Sequence, residues 1–159
     1  MLRRLAHPDP EDPGYGRIEV LTCSIRALLQ PIVQGLGDLV PVRLHAGDER
    51  PLELVAQELA KAAYVRTDLV ERRGEFAVRG GILDVFPPTE EHPVRVEFWG
   101  DTVEEIRWFK VADQRSLEVA DHGLWAPPCR EVLLTDAVRE RAARLAAQLP
   151  GVPDLLSKV

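Results

Sequence analysis

Cysteine is scarce: Cys23 and Cys129 are the only two in 159 residues, and they lie far apart. That excludes a disulfide scaffold and reads as reduced thiols of a cytosolic protein, with Cys23 expected as a small buried one. Long apolar runs are also missing, since none approaches the roughly 18 residues needed to span a bilayer. The opening stretch, MLRRLAHPDPEDPGYG, holds basic residues but no apolar h-region, so no secretory signal is expected there. No G-x-x-x-x-G-K-[ST] occurs, and neither Gly35-Leu36-Gly37 nor Gly80-Gly81 is followed by Lys-Ser or Lys-Thr. A phosphate-cradling loop is therefore not expected. The four histidines, His7, His45, His92 and His122, lie in separate segments without metal-ligand spacing. Cys23 has no His or Asp placed as its base, and the Glu90-Glu91 and Glu104-Glu105 pairs read as solvated charge. Nothing here composes an active site.

Hydrophobic residues make up 45% and charged residues 29%, an ordinary globular mixture of one domain or two small ones. The net charge of −6 is localised. Between Gly81 and Glu105 stand seven acids and one base, Arg95, and the remainder of the chain is neutral. A duplex-binding surface needs several Lys or Arg aimed at phosphates. This stretch would repel DNA instead.

The residues 74–111, GEFAVRGGILDVFPPTEEHPVRVEFWGDTVEEIRWFKV, organise the chain. They read as three strands, over 76–86, 94–98 and 103–109, punctuated by Pro87-Pro88 and Gly100-Asp101. Neighbours joined this closely form an antiparallel meander, because a parallel pair needs a long crossover. Val94, Val96 and Phe98 alternate with Arg95, Glu97 and Trp99, which separates an apolar face from one carrying charge and an indole. A two-residue Gly100-Asp101 turn would set Ile106 opposite Arg95 and mix the faces. An odd-length turn with a bulge keeps Val94 and Val96 with Ile106 and Trp108, and the apolar pattern favours it. Arg95 and Trp99 then point to solvent. Gly80-Gly81 marks a bulge or a close backbone approach within the first strand, just after Arg79.

Upstream, 18–21 is a short β run, and Thr22 or Ser24 caps a helix of about two turns in SIRALLQPIV. Residues 39–44 form another strand. Such a strand–helix–strand piece needs a partner layer, so the chain reads as a slice of something longer. Pro51 suits the first position of a helix running to about Ala63, whose stripe of Leu52, Val55, Leu59 and Ala62 should cover the inner face of the meander. Downstream, 113–120 turns away from the sheet, 124–128 is a rigid apolar connector, and 131–134 adds a strand. Thr135 or Asp136 caps a last helix over 137–149, ended by Pro150-Gly151. The fold class is α+β: a small antiparallel meander packed on a helix, flanked by an incomplete α/β strand–helix–strand domain. Residues 1–47 form the partial flanking domain, 48–117 the meander domain, and 118–159 a connector and helix that return to the flank.

GEFAVRGGILDVFP, with YVRTD upstream and DQRSLE downstream, resembles the UvrB-homology region of the Mfd family, the bacterial transcription-repair coupling factors, and more weakly UvrB. The resemblance runs from about residue 64 to 117. It implies a non-catalytic domain that docks onto UvrA and recruits nucleotide excision repair to stalled transcription. It places the UvrA contacts on Arg79, Arg95 and Trp99; the family aromatic is Phe, and Trp99 keeps its apolar plane with more bulk. Trp and Arg side by side on an open sheet are the types enriched in interface hot spots. Glu97 and Arg107 are expected at the rim, where charge steers association.

The resemblance further implies a parent that is an ATP-dependent DNA translocase, with ATP and Mg in a motor far downstream and no cofactor in this chain. RNA polymerase and DNA would be met only by other parts of that parent, and another of its domains would mask the docking face. No membrane partner is expected, and the location is cytoplasmic. The alternative is a DNA-contacting module of a UvrB-like repair protein.

Overall fold

A computed structural model of the chain describes residues 5–8, 16–32 and 36–146. The β-rich centre follows the period-two pattern. In β5 (Val94–Trp99) the alternate residues Val94, Val96 and Phe98 are buried while Arg95, Glu97 and Trp99 face the other way. It pairs antiparallel with β4 (Ile82–Val85) on one side and β6 (Thr102–Phe109) on the other. With β3 (Glu75–Arg79), β2 (Val65–Arg66) and β7 (Ser116–Val119) they make a six-stranded sheet in sequence order, β2-β3-β4-β5-β6-β7. All neighbours are antiparallel except β2 and β3, which are parallel. The fold is α+β with an antiparallel meander, as the pattern predicts.

Its details differ from the sequence expectation in instructive ways. Residues 76–86 are two strands, not one. Arg79 pairs with Ile82 around a two-residue turn, where Gly80 takes φ +60° and a Cβ on Gly81 would stand 2.8 Å from the Phe98 carbonyl oxygen. Only glycines suit that corner, because one needs left-handed backbone and the other lies against the next strand. The β5–β6 turn is also two residues long, with Trp99 opposite Thr102. The register is restored within β6, where the shift between Glu97 and Phe98 leaves Glu104 as the extra residue. Val94 then meets Trp108 and Val96 meets Ile106, the pairing that the apolar pattern demands.

Residues 113–120 do not leave the sheet, because β7 pairs with β6. The expected connector contains β8 (Leu124–Ala126), which pairs antiparallel with β1 (Val42–Leu44). No strand forms over 18–21 or 131–134, and the helix after Ser24 is one turn, α1 (Ile25–Leu28). The expected flanking strand–helix–strand is thus reduced to α1 and β1. Thr135 Oγ1 accepts from the Val138 amide at the start of α3 (Asp136–Ala146). The stop at Pro150-Gly151, the helix end at Leu149 and most of the extended lead-in lie outside the described residues.

Helix α2 (Leu52–Lys61) covers the inner face. Val55, Ala56, Leu59 and the following Ala62 join Phe76, Leu83, Val85, Val94, Val96 and Ile106 in one core, to which β1 and β8 add Val42, Leu44, Leu124 and Ala126. Each fully buried Val, Leu or Phe contributes about 1.5–3 kcal/mol. A second, smaller cluster sits on the opposite face: Val70, Ala77, Phe86 and Phe109, with Val111 against it. It closes over one end of the outer face and leaves the other end open.

Candidate docking face

The outer face is laid out in rows that cross the strands. Arg79, Ile82, Glu97 and Glu105 are neighbours in one row; Ala77, Asp84, Arg95, Arg107 and Val119 form the next. Trp99 and Thr102 lie at the hairpin end, beyond Glu97 on the same face. The pleat therefore gathers every residue singled out from the sequence, Arg79, Arg95, Trp99, Glu97 and Arg107, on one side of one sheet.

Their exposures differ sharply. Trp99 is 77% exposed, and a ring so uncovered on an ordered strand has no packing role there. The Arg79 side chain is 47% exposed, but that of Arg95 only 14%. The expectation that Arg95 points to solvent is corrected here: it lies along the face rather than rising from it. Its Nε donates to Asp84 Oδ1 at 2.7 Å and its Nη2 to Oδ2 at 2.9 Å, a bidentate fork. Its Nη1 donates to the Gln114 carbonyl at 3.3 Å, and its Cζ stands 4.7 Å from the Phe109 ring centroid. Arg79 Nη2 also donates to Asp84 Oδ2, at 2.7 Å.

Asp84 is fully buried, the one buried charged residue among those described. A lone carboxylate in such a place would be very costly, and two guanidinium groups offset that cost. The Asp84 hydrogen bond holds the Arg95 pKa above the ordinary arginine value, against the desolvation that would lower it. Gln114 sits in left-handed backbone, φ +58°, and its Nε2 donates to the carbonyls of Val111 and Val70. The DQRSLE motif thus has a structural use: it bends a loop so that one carbonyl reaches Arg95.

Arg107 and Glu105 form a second fork, Nε to Oε2 at 2.6 Å and Nη2 to Oε1 at 2.7 Å. That bonding raises the Arg107 pKa and lowers that of Glu105. Glu97 faces Glu105 across the strands, a like-charge pair that the sheet tolerates at some cost. Sequence reasoning missed Asp84, Phe109 and Gln114. The signal for Asp84 is present in ILDVF, since Asp is depleted from strands and an acid among such neighbours asks for a reason.

Cys23 is exposed, contrary to the buried thiol expected, and Cys129 is half-buried; neither is in a disulfide. Among the described residues no group of three or more His, Cys, Asp or Glu is arranged to hold a metal, and no helix is long and apolar enough to cross a membrane.

The profile of the UvrB interaction domain matches residues 42–127. The chain belongs to that family. The matched UvrB interaction domain starts at the first residue of β1 and ends just past β8, so it contains the whole sheet and every residue of the outer face. A transcription-repair-coupling factor of Mycobacterium tuberculosis is 57% identical over 151 residues, covering 94% of this chain and 12% of the relative. One from Bacillus subtilis is 33% identical over 119 residues, 75% of this chain and 10% of its own length. UvrABC system protein B of Natronomonas pharaonis is 37% identical over 86 residues, 51% of this chain and 13% of the relative. The chain spans only about an eighth of the coupling factors it matches, as the 12% coverage states. Its likeness to coupling factors extends further along the chain than its likeness to UvrB.

Proposed function

We propose that this chain is the non-catalytic module by which a transcription-repair coupling factor docks onto UvrA and so recruits nucleotide excision repair to stalled transcription. The observation that carries the proposal is that the exposed Trp99 and the half-exposed Arg79 share one face of a sheet that belongs to a UvrB interaction domain. An aromatic and an arginine of that kind are the common anchors of protein interfaces. Glu97 and the Glu105–Arg107 fork flank them as a polar rim. In the parent, ATP and Mg would serve a motor elsewhere in the chain, RNA polymerase and DNA would be engaged by other domains, and a further domain would mask this face at rest.

Titration of the chain with purified UvrA tests the reading. Trp99→Ala and Arg79→Glu are expected to weaken binding, each by about 2 kcal/mol or roughly thirtyfold, with the fold intact. Arg95→Glu is a poorer probe, because Arg95 is mostly covered and its loss strips buried Asp84 of its bidentate partner. Unchanged affinity in both exposed variants would sink the docking reading.

A further inference from the structure

Two arginines of the docking face share one carboxylate, and the sharing is unequal. Arg95 takes both oxygens of Asp84 through its fork; Arg79 takes only Oδ2, at 2.7 Å, through a single nitrogen. Arg95 is otherwise closed in, with Phe109 beneath it and the Gln114 carbonyl at its third donor. Arg79 reaches toward solvent, with its side chain 47% exposed. One negative charge against two positive ones leaves a net positive charge, and Arg79 is the partner through which it meets solvent. A long side chain on an open face would otherwise sample many rotamers, and fixing it on binding costs affinity.

We propose that Asp84 is the positioning residue of this face: it anchors Arg95 as a covered strut and, through its shared oxygen, presents Arg79 pre-ordered to the partner. The proposal rests on the docking reading and assigns the roles within it. Arg95 acts from below the surface, while Arg79 and Trp99 make the contact. Arg79 Nε and Nη1 remain as separate donors toward the partner, beside the nitrogen held by Asp84. An asparagine at position 84 would retain the shape but only one acceptor oxygen. Whichever way the amide turned, its NH2 would confront a guanidinium donor, and Arg79 would lose the charge-assisted bond that fixes it. Arg79 would then be released.

The test is a thermodynamic cycle read by calorimetric titration against purified UvrA, with thermal unfolding followed in parallel. Asp84→Asn is expected to weaken binding about tenfold in the parent chain, and to have almost no further effect once Arg79→Ala is present. A purely structural role would lower affinity equally in both backgrounds, and full additivity of that kind would overturn the proposal. So would Asp84→Asn binding like the parent while Trp99→Ala binds weakly. If Trp99→Ala and Arg79→Ala both bind like the parent, the docking reading itself fails and carries this one with it. Should Asp84→Asn not fold, arginine-selective 15N NMR of the unaltered chain reads the same point. Arg79 should show slower guanidinium motion than the exposed Arg141 of α3, and equal mobility would overturn the proposal.

Discussion

The guanidinium of Arg95 lies over the ring of Phe109, with 4.7 Å between Cζ and the ring centroid. Phe109 is fully buried in the small outer cluster with Val70, Ala77 and Phe86, so the ring is both a hydrophobic plug and a platform. Phe109→Leu keeps most of the burial and loses the platform. It should cost about 1–2 kcal/mol of unfolding free energy, against about 3–5 for Phe109→Ala, in urea titrations. If the leucine variant matches the parent, the ring contributes nothing beyond its volume.

Arg95 and Arg79 should respond differently to loss of charge. Arg95→Gln strips the buried Asp84 of its bidentate partner and should destabilise the fold by roughly 3 kcal/mol. Arg79→Gln leaves that fork intact and removes one half-exposed contact, so about 1 kcal/mol or less is expected. Chemical denaturation of the two variants decides it. Equal losses would mean that Arg95 is no more a strut than Arg79 is.

Trp99→Ala separates binding from folding. With 77% of the residue exposed, little apolar burial is lost, and stability should stay within about 0.5 kcal/mol of the parent. A melting temperature that drops by several degrees would show that the indole packs on the domain in solution and is no free anchor.

The centre of the fold is legible because β5 and β6 carry a strict apolar alternation, and the requirement that Val94 and Val96 meet Ile106 and Trp108 selects one register. The device that achieves it is not legible. A bulge at Glu104 and an odd turn serve the pattern equally, and only the backbone chooses. The edges are harder to read. The SLEV of β7 has no clean alternation and is held mainly by its ladder to β6, while LWA of β8 is a short apolar run before two prolines whose partner, β1, is remote in sequence. At the site, Arg79 and Trp99 emerge from the strand pattern and the family resemblance. The role of Arg95 does not, because its cover comes from Phe109 and from a loop carbonyl whose approach needs left-handed backbone at Gln114.

Gly123 closes the β1–β8 pair. It holds φ +71°, and a Cβ there would collide with the Leu44 carbonyl oxygen. Gly123→Ala should therefore destabilise the domain by more than about 2 kcal/mol, from combined strain and displacement of β1. Hydrogen exchange should show the loss first in the amides of β1 and β8. Uniform protection like that of the parent would show that the strand pair shifts without cost.

The Glu105–Arg107 fork gives the rim of the face a pH signature. The Glu105 pKa is held below the ordinary glutamate value, chiefly by the Arg107 hydrogen bonds. A carboxyl lowered on folding stabilises the folded chain above its unfolded value, and that contribution is lost as pH falls through the folded value. Both side chains are partly exposed, so salt should screen the effect. Arg107→Gln should move the Glu105 midpoint upward, toward the ordinary value, when followed by carboxyl 13C NMR. An unmoved midpoint would mean that the fork is not populated in solution and that Glu105 is free to pair with a partner instead.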